Sequence, residues 1–176
     1  GSEMCIRDRL SRRFKKSDFV FVSDMGDLFG DWVPKKWIIK VLYHITKFPY
    51  TYFLLLTKNP RRYIEFLDII PSNCIIGSTI ETNRDTSKFS NAPSPTFRIN
   101  SMKKIRKKWN GYVMIAIEPV MDFDMEQFVL ELKAIQPDFV VVGKDNYNNN
   151  LPEPSEEKLS EFIQKIKKFT KVIVKN

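Results

Sequence analysis

The residues best equipped for chemistry lie in five short polar clusters, each placed directly after an apolar run. Asp24-Met25-Gly26-Asp27 sets two carboxylates beside a glycine. That arrangement can hold an ammonium group or accept hydrogen bonds from a substrate, and it suits a turn with a helix-capping aspartate equally well. Thr57-Lys58-Asn59 supplies an ammonium that can meet a carboxylate or phosphate, or simply sit at a rim. Ser78-Thr79-Ile80-Glu81-Thr82-Asn83 is the densest polar patch; Ile80 interrupts it, as expected if alternate side chains face opposite ways. Glu118-Pro119, followed by Asp122 and Asp124, and Gly143-Lys144-Asp145-Asn146-Tyr147 complete the set, and Lys175 follows the last apolar run. Strand ends are commonly polar, so none of these is diagnostic alone. Five in order point to a site at one mouth of a sheet.

Other catalytic classes fit poorly. The single histidine, His44, falls within a helical pattern, where packing or capping is its expected role. One histidine and two distant cysteines make no zinc pattern and leave no Ser-His-Asp arrangement. Glu81 and Glu118 are formally a carboxylate pair for glycoside hydrolysis, with nothing further to support it.

The elements that must position these clusters are legible. The runs at 19–29, 52–59, 74–83, 113–123, 139–147 and 171–175 are β-branched and aromatic with little alternation, which predicts strands buried on both faces of a parallel sheet. Helical patterns separate them. Val33-Pro34 opens one whose stripe is Ile38, Val41, Leu42 and Ile45. Asn59-Pro60 opens another over about 60–68. Residues 84–99, with two prolines and many small polar residues, read as a long loop, followed by a basic helix over about 100–108. Further helices are expected over about 124–135 and from an N-cap at Ser155 through Leu159, Phe162, Ile163, Ile166 and Phe169. An open doubly wound sheet and a partial β/α barrel both fit the alternation. The turn SDMGDLFG lacks the spacing of a dinucleotide-binding glycine loop, so chemistry spread over several strand ends favours the partial (β/α) barrel, with about six parallel strands.

Length and composition set the frame. A chain of 176 residues with 43% hydrophobic content suits one domain with one core. No stretch approaches the run of about 20 apolar residues needed to span a bilayer, no secretory signal is visible, and two cysteines make no disulfide framework; a cytoplasmic location is the expectation. Gly1-Ser2 reads as a cloning remnant. Met4 to Arg9 resembles the translated adapter sequence found at the ends of metagenomic reading frames, so residues 1–17 are set aside as non-native and 18–176 taken as the domain. The net charge is +8. Clusters at Arg7–Lys16 and Lys103–Lys108 suit either solvated helix faces or a nucleic-acid surface built from Arg61, Arg62, Lys103, Lys104, Arg106 and Lys107.

In order, SDMGDLFGDWVP, LLLTKNPRRY, CIIGSTIETN, IEPVMDFD, VGKDNYNNNLPEP and the closing VIVK resemble a radical-SAM-related, three-cysteine-motif family of phage and prokaryotic proteins, over about 18–176. The resemblance implies a partial β/α barrel whose first strand precedes a cysteine loop carrying a [4Fe–4S] cluster, which binds S-adenosylmethionine. This chain has no three clustered cysteines, so its strands would be the second onward, and neither group is expected to be held by the chain alone. In that register Asp24 and Asp27 take the position that contacts the methionine amino group, although the family's Gly-Gly-Glu-Pro form is not present. Ser78, Thr79, Glu81 and Asn83 take the position that contacts ribose or carboxylate, and Glu118, Lys144 and Asn146 line the rest. The resemblance thus implies the C-terminal barrel portion of a protein that cleaves S-adenosylmethionine reductively, this portion itself being inactive. The alternatives are a basic nucleic-acid-binding module without catalysis, and a non-catalytic barrel fragment that forms a homodimer through its open edge at Phe19–Val22.

Overall fold

The computed structural model describes residues 13–23, 26–145 and 149–175. Strands β1 (Phe19–Val22), β2 (Tyr52–Thr57), β3 (Cys74–Thr79), β4 (Val113–Ile117), β5 (Phe139–Val142) and β6 (Lys171–Val174) form one sheet in chain order. Every neighbouring pair is parallel. The architecture is therefore the partial β/α barrel expected from the apolar runs, open between β1 and β6.

Helix α1 (Lys35–Ile45), a 3-10 helix (Pro60–Glu65), and helices α2 (Pro95–Arg106), α3 (Met125–Ile135) and α4 (Glu156–Ile166) connect the strands. When parallel strands follow one another in chain order, crossovers of a single hand place all helices on one face. The packing agrees. Phe53, Leu55, Ile76, Ile115 and Val140 join the apolar stripes of the helices in the main core, among them Ile38, Leu42 and Ile45 of α1. The alternate residues Leu54, Ile75, Met114, Ala116 and Val141 make a smaller cluster on the concave face. At the far end of the core Phe128 and Phe162 stack at 5.3 Å, joining α3 to α4.

The loop expected over residues 84–99 is shorter than the sequence suggested, because α2 begins at Pro95 rather than near residue 100. Ser94 caps it, its hydroxyl oxygen accepting the Phe97 N–H at 3.3 Å, and Pro95 occupies the first turn, where its missing N–H costs nothing. The prolines that read as loop punctuation are a helix start. The other expected cap holds: the Ser155 hydroxyl accepts the Lys158 N–H at the start of α4. Contacts with the domain also begin before residue 18. Phe14 packs edge-on against Phe48 and Phe53, and the Ser17 N–H bonds the Tyr50 carbonyl. Among the described residues no helix is long and apolar enough to cross a membrane.

Candidate functional site at the carboxyl ends of the strands

Parallel strands in chain order bring the segments after β1, β2 and β3 to one rim. A cleft of about 530 Å³ opens there, floored by Phe21 and Leu56 and walled by Asp27, Trp32, Lys58 and Thr79. Its walls are stitched together. The Asp27 carboxylate accepts the Phe29 N–H on one oxygen, and the Thr57 hydroxyl and Lys58 N–H on the other, at 2.8–2.9 Å. Asn59 donates its side-chain amide to the Phe29 carbonyl and the Asp31 carboxylate. Arg62 is buried and donates to the carbonyls of Gly30 and Val33, so it is an internal brace and not part of a basic surface. The segment carrying Trp32 is thus fixed to the end of β2, while the Trp32 ring itself stays 77% exposed at the rim.

Beside the cleft lies a buried charge relay. Glu81 is 5% exposed and pairs with Lys58 at 2.5 Å and with Arg98 of α2 at 2.7 Å. Arg98 is fully buried; it also donates to the carbonyls of Thr79 and Pro93, and one guanidinium nitrogen has no partner among the described residues. Burial alone would raise the Glu81 pKa, but the charges of Arg98 and Lys58 outweigh it and hold the carboxyl below its ordinary value. Glu81 therefore stays ionised at neutral pH and fixes the half-exposed Lys58 ammonium beside Thr79.

The residues singled out from the sequence fall into separate groups. Asp27, Thr79 and Glu81 gather around Lys58. Ser78 does not share their space: it is fully buried on the helix side, donating to the Thr57 carbonyl at 3.0 Å. Asn83 exchanges hydrogen bonds with the backbone of Asp124, and with Arg84 and Asp122 it ties the loops after β3 and β4 together. Glu118, after β4, pairs with Lys175 after β6 at 2.6 Å, and Gly143 leaves room for it, since a Cβ there would lie 3.0 Å from the carboxylate. Lys144 turns outward to Glu156. Asp24 and Asn146 lie outside the described residues.

Sequence reasoning missed Arg98, Trp32 and Asp31. A signal existed for Arg98, which shares the stripe of Met102 and Ile105, the face that α2 buries. Nothing in residue type or spacing marked Trp32.

An iron–sulfur cluster does not fit the described residues. Cys74 is buried at the start of β3 in the main core, where burial pushes its thiol up to about 12. No group of three or more His, Cys, Asp or Glu among the described residues could hold a metal ion.

Solved structures share the fold at low identity. A spore photoproduct lyase complexed with dinucleoside spore photoproduct superposes with a TM-score of 0.65 at 10% identity, over 96% of this chain and 64% of that one. A mutant of the same lyase with bound AdoMet and dinucleoside spore photoproduct gives 0.57 at 11% identity, over 93% and 49%. A domain of pyruvate-formate lyase-activating enzyme from Bacteroides vulgatus ATCC 8482 gives 0.62 at 14% identity, over 91% and 99%. The chain thus spans less than two thirds of the lyase chains it matches. No curated protein sequence matches it. A family profile matches residues 6–152, and the chain belongs to that family, described as "Protein of unknown function (DUF5131)".

Proposed function

We propose that this chain is the C-terminal barrel portion of a radical-SAM-like protein, which in its longer form holds a [4Fe–4S] cluster on a three-cysteine loop and cleaves S-adenosylmethionine reductively in the cytoplasm. The observation that carries the reading is the cleft over β1–β3 with Lys58 fixed beside it, in a fold like that of the lyase and activating-enzyme structures. When bound, the cluster supplies the electron for reductive cleavage; its thiolates must come from cysteines outside the described residues.

This chain's contribution is binding and orientation. The Lys58 ammonium suits the carboxylate of the methionyl group. Thr79 offers a hydroxyl, Phe21 and Leu56 an apolar floor, and the exposed Trp32 face a surface on which the adenine can stack. Asp27 accepts three hydrogen bonds from the chain itself and keeps a lone-pair position on Oδ1, and Asp31 lines the same cleft, so the amino group is assigned to the Asp24–Asp27 turn together with Asp31. By itself the chain is expected to be inactive.

The test is anaerobic reconstitution, with iron and sulfide, of the protein carrying the gene's upstream reading frame. A brown protein whose visible spectrum changes on adding S-adenosylmethionine supports the reading. A colourless protein, or upstream sequence without three closely spaced cysteines, rejects it.

A further inference from the structure

The opposite pole of the sheet, at the amino ends of the strands, carries a second and unrelated feature. Three hollows of about 670, 650 and 440 Å³ lie there. The first two share Arg106 and Asp138, and the last two share Ser72 and Tyr112, so they form one continuous groove beneath the sheet from β6 to β1. One end is cationic, lined by Lys133, Lys167 and Lys171. Lys108 lines the middle and Lys16 the far end. Three tyrosines stand along the second half: Tyr112, Tyr50 and Tyr52 are 52%, 70% and 48% exposed.

Lysines near helix C-termini also answer the helix dipole, and that is the plain reading of Lys133 and Lys167. Two observations go beyond it. The groove's single lining carboxylate, Asp138, is already engaged by Arg106 and by the Val113 N–H. At the carboxyl-end rim, by contrast, Lys58, Arg84, Arg98, Lys144, Lys158 and Lys175 each have a carboxylate partner. Lys16, Lys108, Lys133, Lys167 and Lys171 have none within 4 Å among the described residues. Five lysines without a carboxylate partner among the described residues therefore line one groove that also offers flat aromatic faces, while other unpaired cations, such as Lys36, Lys40, Lys103 and Lys104, lie outside it.

We propose that this groove binds single-stranded nucleic acid, the lysines neutralising phosphates at one end and the tyrosines stacking unpaired bases at the other. A cationic track alone attracts any polyanion; exposed rings in series beside it select a strand whose bases are free to stack. Six strands at about 4.8 Å spacing make the groove about 24 Å long, the scale of the smallest single-strand sites, about four nucleotides. The inference needs neither cofactor nor cluster and stands independently of the proposed radical chemistry.

The experiment is fluorescence anisotropy of the 176-residue chain with labelled single-stranded DNA and RNA of about 12 nucleotides. With about four phosphates neutralised, affinity should fall about 50-fold between about 50 and 200 mM salt. Lys167→Gln with Lys171→Gln should make the log–log salt slope shallower by about 1.4. Tyr50→Ala and Tyr112→Ala should each weaken binding about tenfold and leave the slope unchanged. Lys36→Gln, on the exposed face of α1, should change neither. Circular dichroism melts confirm that each variant is folded. Absence of binding at the lower salt overturns the proposal. So does binding that ignores the tyrosine substitutions, or that is matched by duplex, heparin or phosphatidylserine vesicles, since each means charge alone is being read.

Discussion

At the scale of single residues, the account turns on how a buried carboxylate is kept charged. Glu81 and Arg98 are each other's main compensation in a site with almost no solvent. Removing one partner of such a pair leaves the other buried and unpaired, so Glu81→Gln should cost about 3–5 kcal/mol in chemical denaturation. Glu81→Gln combined with Arg98→Met should recover part of that loss, because no charge is then stranded. The same pair sets a pH dependence. The folded pKa of Glu81 is lowered, so its contribution is complete above the unfolded carboxyl value of about 4.3 and is lost as pH falls through the lower folded value. Melting temperature followed downward from about pH 5 should decline more steeply in the native protein than in the double variant. Parallel curves would contradict the assignment.

At the scale of elements, the loops are held by side chains that the strand pattern never displays. The apolar runs foretold all six strands, because a strand buried on both faces must be apolar at successive positions. Their polar ends were equally legible, but their partition was not. Ser78 and Thr79 are adjacent in sequence yet face opposite layers, and only the register between β2 and β3 shows that Ser78 is spent on the Thr57 carbonyl. Arg98 is hidden because the two prolines before it suggest a loop where α2 has already begun. Ser94 and Pro95 carried the start signal, and Ser94→Ala should lower stability by about 1 kcal/mol in urea titration. A close approach on the concave face gives a second check. A Cβ at Gly77 would lie 2.9 Å from the Met114 carbonyl oxygen, in backbone that cannot swing aside, so Gly77→Ala should cost about 1–3 kcal/mol. A neutral result would mean that β3 and β4 are not in the register described.

At the scale of the whole molecule, the sheet has two chemically distinct poles and two unpaired edges among the described residues, β1 and β6. The carboxyl-end pole is a neutralised ring of paired charges around a cleft, and the amino-end pole is a cationic groove. At the first edge, β1 exposes Phe19 and Phe21 on its concave side while Val20 and Val22 pack into the core. Exposed apolar residues on an unpaired strand favour self-association. The isolated chain should therefore sediment as a concentration-dependent dimer, and Phe21→Lys should return it to monomer. A monomer at all concentrations would show that the edge is not sticky.

The central claim is that the cleft beside Lys58 serves S-adenosylmethionine, and release of 5′-deoxyadenosine tests it most directly. The protein carrying its upstream reading frame would be reconstituted anaerobically, reduced with dithionite and supplied with S-adenosylmethionine, and the nucleoside quantified by chromatography. The account predicts 5′-deoxyadenosine in the reduced sample, with release about tenfold lower at subsaturating S-adenosylmethionine when Lys58→Gln removes a charge-assisted bond. A cluster-loaded protein that releases none, or that releases it undiminished after both Lys58→Gln and Trp32→Ala, would contradict it.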